Sequence, residues 1–436
     1  MVRERQMVCP FWRLLHRDFS ASSIVAVSIF YERTTINDRS LALKNTMTGI
    51  IKKSILFIML CLFKATIGLY VRVRYRLVSK CNAALPQKGA FLILGNHTNN
   101  FDGLFLQCLS PRLIRFVVTD TVFRHKALSR ILHFAGYIPI RKHTSDSRAI
   151  RQIMHLVSQG SAIGIFPEGM RSWDGKTRPF ENATFRLIQV LRIPVYAVRF
   201  KGAYLSEPRW ADTKRHGLIE AEVFKLFDIG DKPSLKQIHQ TVSDALEHDE
   251  GDWQRIRHIP FKGKALCAGF ERLLFVCPAC LRIGAMDSSS DRIWCLSCGA
   301  ENRLDIYGFF HPAGCGPARS ASELNAWQQD EMKRQFALKA SHDVLLSDEG
   351  ARLFFAETHN APYTLAESGT ITLCSGSLHV GRHAFRTKEL SGISVGFKSH
   401  VEFRYHKKDY RINFEENRVS AYKWSCALAF AKHTDI

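Results

Sequence analysis

His97 and Asp102 lie in Gly95-Asn96-His97-Thr98-Asn99-Asn100-Phe101-Asp102, directly after the apolar run 91–94. A second loop, Phe166-Pro167-Glu168-Gly169-Met170-Arg171-Ser172, follows the apolar run 163–165. A histidine oriented by a carboxylate can act as a general base. The acid accepts from one ring nitrogen, fixes the tautomer and leaves the other nitrogen free to take a proton. A guanidinium offers fixed, bidentate donors suited to phosphate, and here it sits beside a carboxylate in a turn shaped by proline and glycine. Together the loops read as a site that takes a proton from a hydroxyl and holds a phosphate.

The spacing of His97 and Asp102 carries little alone, since with eighteen histidines about one such pair arises by chance. Five helical steps put two residues about 140° apart, so the pair cannot share a helix face. They meet if His97 lies on a strand-to-helix loop and Asp102 opens the helix as its N-cap. No serine or cysteine stands in a nucleophile elbow at either of these loops. Direct attack by the substrate's own hydroxyl on an acyl thioester is therefore expected, without a covalent acyl-enzyme. The oxyanion hole is expected from N–H groups of the 167–169 turn or the His97 loop.

Residues 88–226 alternate short apolar runs with helical patterns. Strands are expected at 90–94, 115–118, 137–140, 162–166, 194–200 and 218–224, and helices at 121–134, 146–159 and 182–191, with a closing helix at 233–247. This alternation predicts an α/β layered sheet with both chemical loops at carboxyl ends of strands, where such sheets bind ligands.

Further fragments follow in order: Asn96 before His97, then Gly136-Tyr137-Ile138-Pro139-Ile140-Arg141-Lys142, the 168–172 loop, and Ile193-Pro194-Val195-Tyr196-Ala197-Val198. In this order they resemble the glycerolipid acyltransferase family, and within it the 1-acylglycerol-3-phosphate (lysophosphatidate) acyltransferases, over residues 80–230. The resemblance implies that His97 is the catalytic base and Asp102 its partner. It also implies that Arg141 and Arg171 hold the acceptor's phosphate, and that Glu168, with Gly169 beside it, shapes acceptor binding. Asn99 stands where serine is common and Met170 where threonine is common. Phe180-Glu181-Asn182-Ala183 replaces Phe-Lys-x-Gly, and Ala197 replaces a second proline. These departures touch acceptor identity and leave the chemistry intact.

The formal net charge is +21, which points to anionic partners. Between residues 111 and 151 nine basic side chains face two acidic ones, a balance that suits an acidic substrate at a negatively charged membrane surface. Cys277, Cys280, Cys295 and Cys298 form two Cys-x-x-Cys knuckles at zinc-ribbon spacing. Four thiolates close a tetrahedron, so the metal, Zn²⁺, is expected to be structural, in a reducing compartment. No catalytic cofactor is expected, and acyl-CoA or acyl-carrier protein serves as co-substrate. Residues 54–70 form an apolar run of seventeen that contains Lys64, short of a confident span and better suited to lying in the membrane interface.

The expected organisation is a poorly structured extension at 1–46, with an alternative start at Met47, then a membrane-associated helix at 47–80 and an acyltransferase domain at 81–258. A zinc ribbon at 259–312, a helical polar linker at 313–341 and a mainly-β domain with a terminal helix at 342–436 follow. The last weakly resembles a pleckstrin-homology-like β-barrel. These readings predict an O-acyltransferase on the cytoplasmic face of a membrane, acting on a lysophospholipid, foremost 1-acyl-glycerol-3-phosphate. The same chemistry on an acyl-amino acid or another lysolipid is the near alternative. A zinc-ribbon protein binding nucleic acid or lipid is the distant one. Nucleic acid is not the expected partner, because only Trp294 and Tyr307 offer stacking rings near the ribbon.

Overall fold

The structure is a computed structural model that describes residues 54–433, except 56, 60, 63, 82, 125, 141–145, 313–315, 340–342, 359–360 and 416–418. The expected extension at 1–46, Arg141 and Lys142 lie outside the described residues. The chain divides into a short unit, Met1–Leu62, and a large one, Phe63–Ile436.

The first sheet is built from β1 (Leu77–Cys81), β2 (Phe91–Gly95), β3 (Ile114–Thr119), β4 (Ile138–Ile140), β5 (Ala162–Ile165), β6 (Val195–Lys201) and β7 (Ile219–Phe227). Their order is β1-β7-β6-β2-β5-β3-β4, parallel except where β6 meets β7. All five residues of β2 are buried, as a central strand covered on both faces requires. Alternation then divides them. Phe91 and Ile93 pack with Phe105, Phe116 and Val198, while Leu92 and Leu94 pack with Ile163, Phe185 and Val242. Helices Asp102–Leu109, Ser147–Ser158, Asn182–Leu191 and Leu235–Leu246 supply these layers. The layered α/β sheet lies where the sequence places it, with the expected strand ends within a few residues. Two elements differ. β1 falls in the stretch expected as a membrane-associated helix, where pairing with β7 makes residues 77–81 extended. The helix expected at 121–134 is a 3-10 turn, Asp120–Arg124, followed by helix Lys126–Ala135.

The second sheet is small: β8 (Met286–Ser288), β9 (Ile293–Cys295), β10 (Glu301–Leu304) and β11 (Phe310–His311), in the order β11-β10-β9-β8. The third comprises β12 (Val344–Ala356), β13 (Thr364–Cys374), β14 (Ser377–Val380), β15 (His383–Arg386), β16 (Ser391–Gly396), β17 (His400–Tyr405) and β18 (Lys408–Phe414). All of its pairings are antiparallel, in the order β15-β14-β13-β12-β18-β17-β16, and helix Ala421–His433 follows. Helix Ala321–Ala337, in the stretch expected as a polar linker, buries Leu324, Gln328, Met332 and Phe336. One apolar cluster runs from Phe275 and Ile293 through Phe336 to Leu353, Leu373 and Trp424, so the ribbon and the third sheet share a core.

Among the described residues no helix is long and apolar enough to cross a membrane. The described residues of 54–62 are helical, and Phe57, Ile58 and Leu62 expose their apolar side chains. Within the large unit, helix Leu69–Tyr75 buries Val71 and Tyr75 and leaves Leu69, Tyr70 and Val73 exposed.

Candidate functional site

Strands β2 and β5 are neighbours, with Leu94 opposite Ile165, so the loops that leave their carboxyl ends must run side by side. Three contacts stitch them together, and a fourth ties Glu168 to the chain just beyond its own loop. The His97 N–H donates to Glu168 Oε1 at 2.7 Å, and the Ser172 N–H donates to the His97 carbonyl at 2.9 Å. Glu168 Oε2 accepts from the Arg178 N–H at 2.9 Å. The Phe166 ring stacks on the His97 imidazole at 4.5 Å, a position open because residue 95 is glycine. A Cβ there would lie 2.9 Å from Phe166.

Asp102 does not cap its helix, as the sequence reading expected. The N-cap is Phe101, and Asp102 is the first helical residue. Its carboxylate turns back into the loop, where Oδ2 accepts from the Thr98 N–H at 2.7 Å and the Asn99 N–H at 2.8 Å. The same oxygen lies 3.0 Å from His97 Nδ1. An acceptor at Nδ1 makes that nitrogen the protonated one, which leaves Nε2 as the ring nitrogen able to take a proton. Burial pushes the His97 pKa below its ordinary value; Asp102 pulls it up, and Arg171 and Arg209 press it down. The imidazole is therefore held neutral, the form a base requires.

Glu168 frames the site through its main-chain bonds to both loops, and Gly169 makes the turn beside it with φ +67°, in the left-handed region glycine favours. Burial pushes the Glu168 carboxyl up to about 8 against two N–H donors that lower it. Because this folded value exceeds the unfolded one, Glu168 stabilises the fold fully below the unfolded pKa. That contribution is lost as pH rises through about 8. Glu168→Gln, neutral at every pH, is expected to start less stable because one N–H loses its acceptor, and to melt with a flatter pH profile. Thermal melts between pH 5 and 9 check this: the wild-type midpoint should fall more than the variant's, by roughly 5 °C.

Asn96 and Asn99 prove structural. The Asn96 amide pairs with the Phe200 N–H and carbonyl, extending the β2–β6 ladder by one side chain. Asn99 donates to the Ala203 carbonyl and Ser206 Oγ and accepts from the Phe101 N–H, so this departure from the common serine binds the loop to residues 203–206. Ala197 lies buried in β6 opposite Leu94. Of the N–H groups expected to form an oxyanion hole, those of His97, Thr98, Asn99 and Gly169 are already paired internally.

The Arg171 guanidinium is half-buried and makes no hydrogen bond or ion pair to another described residue. Burial lowers its pKa, while Asp102 and Glu207 raise it. Arg209, which no sequence pattern singles out, is buried beside it and donates to the Arg171 carbonyl at 2.9 Å.

Cys277, Cys280, Cys295 and Cys298 converge, with ligand atoms all within 4.8 Å of one another. Cys277 Sγ lies 3.7 Å from Cys298 Sγ, and Cys280 Sγ lies 3.7 Å from Cys295 Sγ. A tetrahedron with Zn–S bonds of about 2.3 Å has edges of about 3.8 Å, so the donor set fits a metal ion of that size. The Ala279 and Cys280 N–H groups point at Cys277 Sγ, which favours a thiolate there.

The Acyltransferase family model matches residues 78–201. A chloroplastic 1-acyl-sn-glycerol-3-phosphate acyltransferase of Brassica napus is 25% identical over 135 residues, 30% of this chain and 39% of that protein. The 1-acyl-sn-glycerol-3-phosphate acyltransferase of Borreliella burgdorferi is 26% identical over 105 residues, 24% of this chain and 42% of that protein. Its counterpart in Bacillus subtilis is 22% identical over 179 residues, 41% of this chain and 85% of that protein. A solved structure, the 1-acyl-sn-glycerophosphate acyltransferase PlsC of Thermotoga maritima, shares 17% identity with a TM-score of 0.40, over 47% of this chain and 81% of that one. The chain spans about two fifths of the length of the Brassica and Borreliella relatives. Both chemical loops fall inside the segment, residues 78–201, that matches the Acyltransferase family model, and that segment is what the chain shares with these acyltransferases.

Proposed function

We propose that this protein transfers a fatty acyl group from acyl-CoA or acyl-carrier protein to the free hydroxyl of 1-acyl-glycerol-3-phosphate, giving phosphatidate. One observation carries the reading. A neutral His97, oriented by Asp102, lies on the loop stitched to the one that carries Arg171, whose guanidinium has no partner among the described residues. His97 Nε2 takes the hydroxyl proton as the oxygen attacks the thioester carbonyl, and returns it to the departing thiolate as the intermediate collapses. Asp102 stabilises the imidazolium between these steps. Arg171, joined by Arg141, holds the acceptor's phosphate, and the paired donors of Glu168 keep the loops in register. The exposed apolar side chains of 54–62 and 69–73 and the +21 charge support work at an anionic membrane surface on the cytoplasmic face. Zn²⁺, held by the four cysteines, would stabilise the ribbon without entering the reaction.

An acceptor panel tests the substrate. Purified protein with labelled acyl-CoA is expected to convert lysophosphatidate to phosphatidate and to leave lysophosphatidylcholine and monoacylglycerol at least about tenfold less used, since each loses the paired phosphate dianion. Equal use of the neutral acceptor overturns the phosphate assignment, while exclusive use of an acyl-amino acid redirects it to that acceptor.

A further inference from the structure

We infer that the C-terminal antiparallel sheet is a working part of the acyl-transfer site, and that Arg209 is the positioning residue that couples it to Arg171. The inference rests on the reading of Arg171 as the phosphate holder.

Arg209 is 5% exposed and uses its fork at both ends. Nη1 donates to the Arg171 carbonyl at 2.9 Å, and Nη2 donates to the Val395 carbonyl in β16 at 2.7 Å. Its guanidinium lies over the Trp173 ring, 4.5 Å from the centroid. Trp173 in turn stacks on Tyr422 of the terminal helix at 4.7 Å, and Asp174 accepts from Asn325 at 2.7 Å. Residues 171–174 are therefore held directly by side chains at 209, 325 and 422, and Arg209 links them onward to the carbonyl of Val395 in β16. A planar fork between two carbonyls fixes direction as well as distance, which lysine cannot reproduce.

The charges argue against a plain structural tie. Arg209 makes no ion pair with a carboxylate among the described residues, and Arg171 and Arg178 repel it. A buried, uncompensated cation beside a second one is unfavourable unless the place is made for an anion. An anionic acceptor at Arg171 relieves that repulsion, so Arg209 is expected to affect the phosphate-bearing acceptor more than the acyl donor.

The test uses the full chain with acyl-CoA and lysophosphatidate, comparing wild type, Arg209→Gln and Arg209→Lys. Both variants are expected to raise KM for lysophosphatidate about ten- to a hundredfold, with kcat within about threefold and KM for acyl-CoA unchanged. Arg209 also presses the His97 pKa down. Removing its charge should therefore move the acid limb of the pH profile to higher pH in Arg209→Gln and leave it in place in Arg209→Lys. A structural tie alone would move neither the limb nor the KM for one substrate selectively. A folded Arg209→Gln variant with wild-type KM overturns the inference, as does an equal rise in both KM values. Should neither variant fold, Tyr422→Leu decides, because it loosens Trp173 from the C-terminal side. A raised acceptor KM then supports the coupling and an unchanged one refutes it. Wild-type protein without preference for phosphate-bearing acceptors refutes the reading of Arg171 itself. Wild-type protein that shows the preference while the variants keep its KM refutes only the coupling.

Discussion

His97→Ala is expected to lower kcat for acyl transfer by about 10²–10⁴-fold, the usual contribution of a positioned general base. The structure makes this a clean substitution. The loop is stitched through main-chain groups of residue 97, its N–H to Glu168 and its carbonyl to Ser172, and alanine keeps both. The lost contacts are the imidazole's own, to Asp102 and to the Phe166 ring. The fold should survive, KM for both substrates should change little, and the loss should fall on kcat. Asp102→Asn is expected to cost nearly as much, because an amide that donates to Nδ1 would stabilise the wrong tautomer. Circular dichroism establishes that each variant is folded, and a thioester assay with lysophosphatidate reads the rate. A folded His97→Ala variant that transfers at the wild-type rate ends the proposed mechanism. In the wild type the depressed His97 pKa predicts that activity is already near its plateau at neutral pH and falls only below the ordinary imidazole range.

Metal removal is expected to have the second large effect, on stability. Strands β8, β9, β10 and β11 contain three, three, four and two residues, too few to hold a sheet without a staple. Structural zinc contributes about 10–16 kcal/mol of apparent binding energy in small zinc-dependent folds. The ribbon is not isolated here: Val276, Cys277, Ile293 and Cys295 belong to the cluster that continues into Leu353 and Leu373 of the third sheet. Chelation, or Cys295→Ser at a buried ligand, should therefore lower the thermal midpoint of this whole region by at least about 10 °C. Metal analysis of the purified protein should find one zinc per chain. Protein that contains no metal, and whose melt is indifferent to a chelator, would remove zinc from the account.

Local pattern carried most of the architecture. Helix Asn182–Leu191 has the bounds its sequence predicts, and helix Ser147–Ser158 lies within one residue of its own at each end. Each has a clear period of its own, and neighbouring elements do not override it. Strand β12 was not legible, because its thirteen residues include Ser347-Asp348-Glu349-Gly350, which breaks the apolar alternation at a bulge. The site divides in the same way. Residue types and order name His97, Asp102, Glu168, Gly169, Arg171 and the four cysteines, since a base, its acid, a phosphate fork and a tetrahedral thiol set are properties of side chains and short spacings.

The direction each of those side chains takes depends on contacts between distant parts of the chain. Sheet order puts β2 beside β5, which lets Glu168 bond the main chain of His97 across seventy-one residues. The Asp102 carboxylate turns toward the loop because Thr98 and Asn99 offer N–H groups there, a fact no N-cap preference contains. Arg209 reaches β16 across one hundred and eighty-six residues. The sequence by itself determined which groups could do the chemistry and which local elements would carry them, because both follow from side-chain type and short period. Only the tertiary structure decided which loops touch, which carboxylate orients and which frames, and that the C-terminal sheet abuts the site. Those outcomes depend on strand neighbours and on buried hydrogen bonds that must be satisfied wherever the fold brings them together.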